Sequence, residues 1–291
     1  DKLLVHSRNN LPLFVSAWIA FRLGAVWVPT NVRITPVEAA YLGESSGAVA
    51  MLYDVGLEHY VDAVRQASPA LQQVIAIGEP REGELAYDQL LDEGHAAHAS
   101  FHPADVTYHD PLWFFYTSGT TGHPKAGVLT HGQMAFVITN HIADLMPGLN
   151  QHSRSRVLAP WSHGAGIHAL VNVARGAACV LPASDKLDCD EAWRLVQEHR
   201  VDNLFTVPTI VKMLTEHDAV DRYDHSSLRH VIYAGAPMYR ADQRHALNKL
   251  GKVLVQYYGL GEVTGNITVL PAHDHHAEDG PEAKVGSCGY P

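Results

Sequence analysis

The chain has 291 residues, 46% of them hydrophobic and 18% charged, with a formal net charge of −10. At roughly 100 to 200 residues per domain this suffices for one large or two ordinary α/β units with a substantial core, and it excludes a disordered chain. The acidic balance excludes a nucleic-acid binder that relies on a broad basic face; an anion held locally by backbone N–H groups and one or two lysines remains compatible. Cys179, Cys189 and Cys288 are widely spaced and odd in number, so they make neither a metal-ligand pair nor a disulfide framework. That usage points to a reducing, cytoplasmic compartment.

In chain order, the apolar run LPLFVSAWIAFRLGAVWVP (11–29) is interrupted by Arg22 and carries prolines near both ends. It predicts a packed helix followed by a strand, not a signal peptide or a membrane span. Thr35-Pro36-Val37-Glu38 predicts a capping box with proline at the first helical position. β-rich runs stand at AVWVP (25–29), AVAML (48–52), VIAI (74–77), LWFFY (112–116), RVLA (156–159), ACVLP (178–182), NLFTV (203–207), HVIYA (230–234) and KVLVQYY (252–258). Helical patterns lie between many of them. Thr130 is placed to cap a helix through Phe136, Ile138 and Ile142, and DEAWRLVQEHR (190–200) has amphipathic spacing with acids at its start. Alternating strands and helices predict an α/β fold of mainly parallel sheets flanked by helices. The polar stretch 78–110 is the expected seam, giving an N-terminal subdomain over 1–110 and a second over 111–291. The chain opens without methionine and stops at VGSCGYP in what reads as a turn, so a piece of a longer protein is expected.

The stretch YTSGTTGHPKAGVLTH (116–131) follows the apolar LWFF directly. Read as strand, turn, then helix, it predicts a cradle of backbone N–H groups for phosphate. Gly119 and Gly122 would permit backbone angles and close approach that a Cβ forbids. Thr117, Ser118, Thr120 and Thr121 add hydroxyl donors, and Lys125 adds a compact positive charge after Pro124. A Walker A loop needs lysine immediately after its last glycine, with Ser or Thr next. Here His123 and Pro124 intervene and Ala126 follows the lysine, so a P-loop kinase or NTPase is excluded on spacing.

This run resembles the phosphate-binding signature of the adenylate-forming superfamily, which includes acyl-CoA synthetases, nonribosomal-peptide adenylation domains and firefly-type luciferases. The usual glycine after the lysine is here Ala126, with Gly127 next. More of the pattern follows in order. LAPWSHGAGIHAL (158–170) resembles the motif whose histidine flanks the acid substrate, which implies His163 beside Gly164, Ala165 and Gly166. HVIYAGAPMY (230–239) resembles the turn against adenine, implying Gly235, Ala236 and Pro237 at the nucleotide and Tyr233 and Ala234 in the wall of the acid pocket. VLVQYYGLGEVTG (253–265) resembles the tyrosine-glycine-x-threonine-glutamate motif. It implies Tyr258 stacked on adenine beside Gly259, Tyr257 near the acid, and Glu262 as the Mg²⁺ ligand. Gly261 stands where that motif has threonine, so a donor to the α-phosphate is missing; Thr264 or a water is expected to replace it.

The resemblance implies the large N-terminal domain, with the C-terminal small domain lying beyond this chain. It implies ATP and Mg²⁺ as cofactors, and activation of a carboxylic acid to an acyl-adenylate with release of pyrophosphate. Transfer to a thiol follows, with coenzyme A as co-substrate or, alternatively, an acyl carrier protein. Thr117, Lys125, His163 and Glu262 are the expected catalytic residues. Ser118 belongs to binding and not to covalent chemistry. No lone cation in these motifs favours a dicarboxylate, and no aspartate stands out as an amino-group clamp, so an apolar acyl or aryl acid is the default. A non-catalytic nucleotide- or acyl-adenylate-binding module is the other class kept open. His273, Asp274, His275 and His276 form a tempting metal cluster, but their place in a polar loop predicts solvated side chains.

Overall fold

The computed structural model describes residues 1–97, 101–117, 122–184 and 186–291, which divide into two compact units, Asp1–Met134 and Ala135–Pro291. In the first unit, β1 (Lys2–His6), α1 (Leu11–Arg22), β2 (Val26–Pro29), α2 (Pro36–Ser46), β3 (Ala50–Asp54) and α3 (Glu58–Ala67) alternate regularly. Then come β4 (Gln73–Ile77), the short β5 (Leu85–Ala86), α4 (Tyr87–Ala97), β6 (Pro111–Thr117) and β7 (Lys125–Thr130). Local chemistry sets the helix ends. Asn10 accepts from the Leu13 N–H to start α1, with Pro12 in its first turn. The expected box forms at α2: Thr35 Oγ1 accepts from the Glu38 N–H, and the Glu38 carboxylate accepts from the Thr35 N–H. Gly47, at φ +64°, closes the same helix in the left-handed region.

Among the described residues the first sheet has the order β5-β4-β3-β1-β2-β6-β7, parallel throughout except for β7, which runs antiparallel to β6. Leu4, Val28, Met51, Tyr53, Val61 and Val64 form its main core. The polar stretch 78–110 falls inside this unit because β6 and β7 complete its sheet. The division therefore comes later, after Met134.

The second unit begins within α5 (His131–Asn140), which continues as one π turn over His141–Leu145. The Thr130 cap is reciprocal: its Oγ1 accepts from the Gln133 N–H, and the Gln133 side chain accepts from the Thr130 N–H. β8 (Arg154–Val157), α6 (Gly164–Ala174), β9 (Ala178–Val180), α7 (Cys189–His199), β10 (Asn203–Thr206), α8 (Pro208–Glu216), β11 (His230–Tyr233) and α9 (Arg240–Leu250) follow. β12 (Leu254–Leu260) and β13 (Gly265–Leu270) end the series. The sheet order is β13-β12-β11-β10-β8-β9, parallel except for β13.

Period-two alternation divides this sheet's side chains between two cores. Leu204, Val231, Tyr233 and Leu254 pack with Trp193 of α7 and Val211 of α8. Phe205, Ile232, Ala234, Val255 and Tyr257 face the other way, with Leu145, Met146 and Val171. All nine strand runs expected from sequence are present in whole or part. β1, β5, β7 and β13 were not foreseen. No helix among the described residues is long and apolar enough to cross a membrane.

Candidate functional site

The first half of the motif set lies in the first unit, and its geometry departs from expectation. Lys125–Thr130 is a strand, with Thr117 paired to Lys125 and Tyr116 to Ala126. Thr117 and Lys125 are thus the facing ends of two antiparallel strands, and among the described residues the segment from Lys125 is a strand where a helix was expected. Ser118, Gly119, Thr120 and Thr121 fall outside the described residues. Gly122 has φ +103°, and a Cβ there would meet nothing within 4 Å; its left-handed backbone, not crowding, is what requires glycine. Thr117 is half-buried, and the Lys125 side chain is exposed. α2 braces both limbs of the reversal. Its Tyr41 stacks on His123 at 4.9 Å and its Ser45 hydroxyl lies 2.5 Å from the Tyr116 hydroxyl, whose proton is held more tightly because of burial.

The second half lies in the other unit. β8, β10, β11 and β12 are mutually parallel, so the segments that leave their carboxyl ends emerge at one edge of the sheet, where open α/β sheets place ligands. The 158–164 segment leaves β8 there. His163 is exposed and stands in extended backbone just before α6. Gly164, the first helical residue, is crowded: a Cβ would lie 3.2 Å from Phe205 Cζ and 3.4 Å from the Tyr257 hydroxyl. Ala165 and Gly166 are buried in the first turn of α6. The turn after β11 keeps Ala234 buried and exposes Gly235 (φ +85°), Ala236 and Pro237.

Near the carboxyl end of β12, Tyr258 is 47% exposed, and Glu262 is exposed on the 3₁₀ turn Gly261–Val263 that follows. Gly259 is required for approach, since a Cβ would fall 2.0 Å from the Gly265 carbonyl oxygen across the β12–β13 pair. Thr264 follows at φ +69°, a left-handed conformation unusual for a β-branched residue. It is 2% exposed, and its hydroxyl has no hydrogen-bond partner.

Tyr233 differs from its expected role. Its ring is fully buried in the core on the opposite face from Tyr257, and its hydroxyl is engaged with Gln256 and His275, each at 3.0 Å. Burial lifts that hydroxyl to about 12. His275 is likewise not solvated. It is 1% exposed, with its other ring nitrogen 2.9 Å from the Pro271 carbonyl, whereas the His273 side chain stands in solvent.

The sequence reading missed His141 and His168. His168 lies one turn beyond Gly164, on the same stripe of α6, and its ring stacks on Phe205 at 4.3 Å and 17°. The His141 ring, on the π turn, is 4.9 Å from it. Both side chains are buried, and burial pulls His141 down to about 4 and His168 well below the usual imidazole range. The Gly164–His168 spacing was legible in the sequence. Nothing in the sequence marks a π turn at His141.

The sequence matches the AMP-binding enzyme family over residues 1–291. It is 31% identical over 287 residues to feruloyl-CoA synthase from Amycolatopsis sp, covering 97% of this chain and 52% of that protein. It is 28% identical over 291 residues to long-chain-fatty-acid–CoA ligase FadD13 of Mycobacterium tuberculosis (strain ATCC 25618 / H37Rv), covering 99% and 54%. The chain thus spans about half the length of these curated relatives. Among solved structures, the N-terminal domain of FACL13 from Mycobacterium tuberculosis superposes with a TM-score of 0.83 at 24% identity, over 99% of this chain and 68% of that one, which is a likeness of fold.

Proposed function

The chain belongs to the AMP-binding enzyme family, and from that membership we propose that it activates a carboxylic acid with ATP and passes the acyl group to coenzyme A. In the first step a carboxylate oxygen attacks the α-phosphorus. The bond from that phosphorus to the bridging oxygen breaks, and its electron pair leaves with pyrophosphate. The thiol then loses its proton to solvent, its sulfur attacks the acyl carbon, and AMP departs with the electrons of the acyl–oxygen bond.

The observation that carries this reading is the common edge of the second unit's sheet. Segments 158–164, 234–237 and 258–264, named separately from sequence, all leave the carboxyl ends of mutually parallel strands. There the exposed Gly235–Pro237 backbone and the half-exposed Tyr258 ring suit a flat base, one by close approach and the other by stacking. His163, exposed beside Gly164, is assigned to orienting the carboxylate, and positioning of this kind is the main contribution to in-line displacement. Thr117 and Lys125 are assigned to the β- and γ-phosphates through the signature they belong to.

Glu262 is the residue that would hold Mg²⁺. Among the described residues there is no group of three His, Cys, Asp or Glu able to enclose a metal ion. One exposed carboxylate fits an ion that takes its remaining oxygens from phosphates and water. When bound, the ion neutralises phosphate charge. Thr264 is the candidate for the donor that Gly261 lacks, because its hydroxyl is buried and unpartnered three residues away.

Coenzyme A as acceptor is supported by the relatives' names, which include feruloyl-CoA synthase, 4-coumarate–CoA ligase and FadD13. Acid-dependent ATP–pyrophosphate exchange tests the first step. Exchange with one class of acid is the expected result. A chain that binds ATP yet exchanges with no acid would be a nucleotide-binding module without turnover.

A further inference from the structure

Both ring nitrogens of His168 are buried without a hydrogen-bond partner, and the ring of His141, whose backbone partner is the Val137 carbonyl, lies 4.9 Å away. His141 Cε1 would lie 3.4 Å from a Cβ on Gly265, so the pair sits against the start of β13. The Val137 carbonyl, one turn back, offsets part of the effect of burial on His141. His168 has no comparable neighbour. A buried polar group left unpaired costs about 1–3 kcal/mol, and a closed core retains few of them. A fully buried imidazole with neither nitrogen paired, beside a second buried imidazole, is the mark of a site whose partner arrives with a ligand.

The surroundings define that ligand. Phe205 stacks on His168, and Tyr257 lies nearly parallel to Phe205 at 6.0 Å and 22°. Planar faces of this kind suit a flat ring. Phe205 and Tyr257 also border Gly164, immediately after His163, so the cluster is continuous with the edge assigned to the acid. Burial keeps both imidazoles neutral, and a neutral imidazole offers one N–H donor and one acceptor. Among the described residues no carboxylate, lysine or arginine bears on either ring. An ammonium or a second carboxylate on the substrate would therefore be buried without a counter-charge.

We propose that the acid is a flat aromatic carboxylic acid bearing a neutral hydroxyl group, and that His168 and His141 recognise that hydroxyl at the end of the site away from the carboxylate. The inference rests on the acid-activating reading above. A hydroxyl is complementary to the pair because it gives one proton and accepts another. A site built to bind a hydroxyl discriminates against the analogue that lacks it far more strongly than a hydrophobic pocket discriminates by size.

The test is acid-dependent ATP–pyrophosphate exchange by the 291-residue chain on matched pairs: benzoate against its hydroxybenzoates, cinnamate against its hydroxycinnamates, and octanoate as the aliphatic control. The expected result is a kcat/KM ratio of roughly a hundredfold or more in favour of a hydroxylated acid. His168→Phe is expected to bring that ratio to within about threefold of one, and His141→Gln to lower it. Equal rates on plain and hydroxylated acids, or a preference for octanoate, overturn this inference and leave the activation chemistry standing. A wild-type preference that survives His168→Phe overturns it as well. If His168→Phe does not fold, the wild-type ratio and His141→Gln decide the matter. No exchange with any acid removes the activation reading and this inference together.

Discussion

Acidification should destabilise each unit through buried histidine in a window where carboxylates are silent. His6 in the first unit and His141 in the second are fully buried, and burial lowers each from 6.5 to about 4. His59 and Arg8 add to the effect on His6. A lowered imidazole value means that the unfolded chain binds the proton first, so stability rises with pH between the two values and falls as pH drops through 6.5 toward 4. Going from pH 7 to pH 5 then removes about 2 kcal/mol per histidine by proton linkage. His168 adds to the loss in the second unit, and His131, His230 and His275 are displaced the same way. Asp202 and Glu84 have lowered values, so their contributions begin to be lost only as pH falls into the ordinary carboxylate range and go on being lost below it. The assay is urea unfolding at pH 7, 6 and 5, comparing wild type with His6→Gln and His141→Gln. Each variant should lose about 2 kcal/mol of the pH dependence in its own unit. Midpoints that do not move between pH 7 and 5, or variants that keep the whole dependence, would refute the reasoning.

Two further outcomes follow from backbone geometry at the β12–β13 reversal. Gly259→Ala places a Cβ 2.0 Å from the Gly265 carbonyl oxygen, so the strands must part. A loss of roughly 2–4 kcal/mol and a lower Tm are expected, and a variant as stable as wild type would show that the close approach is wrong. Thr264→Ala removes a buried unpaired hydroxyl, so its Tm should hold within about 1 kcal/mol of wild-type stability. If the hydroxyl serves the α-phosphate, exchange should slow by roughly 100-fold; wild-type rates would remove that role.

Most of the fold was legible because period-two hydrophobic runs separated by helical patterns leave few arrangements other than parallel sheets. Caps were the most legible detail, since Thr35 with Glu38 and Thr130 with Gln133 need only four consecutive residues. β7 was not legible for a definite reason. KAGVLT offers two small residues and little alternation, and the strand forms because its neighbour β6 supplies a ladder from Pro111 to Thr117. Strand propensity is largely a matter of what lies alongside. Tyr233 misled for a similar reason. Its position in the motif is one residue from Ala234, and a shift of one residue along a strand reverses the face. The His141–His168 pair depends on a π turn and on helix-to-sheet packing, neither of which sequence spacing encodes.

The two strongest motifs occupy equivalent places in their own sheets. In each, a strand paired in parallel on one side (β6, β12) turns back through a reversal containing glycine into an antiparallel partner (β7, β13). In a purely parallel sheet the chain leaves each strand through a helix, whose own bonds occupy all but its first N–H groups. A hairpin instead returns at once, so the reversal stays at the strand end with both limbs held by ladder bonds. At β12–β13 the return is the single 3₁₀ turn Gly261–Val263 and Thr264, so its backbone is positioned by the flanking ladder and not by a long helix. That arrangement makes particular demands at particular residues: left-handed backbone at Gly122 and Thr264, and no Cβ at Gly259. Those demands are the physical reason for glycine at 122 and 259, and they hold whichever acid the site accepts.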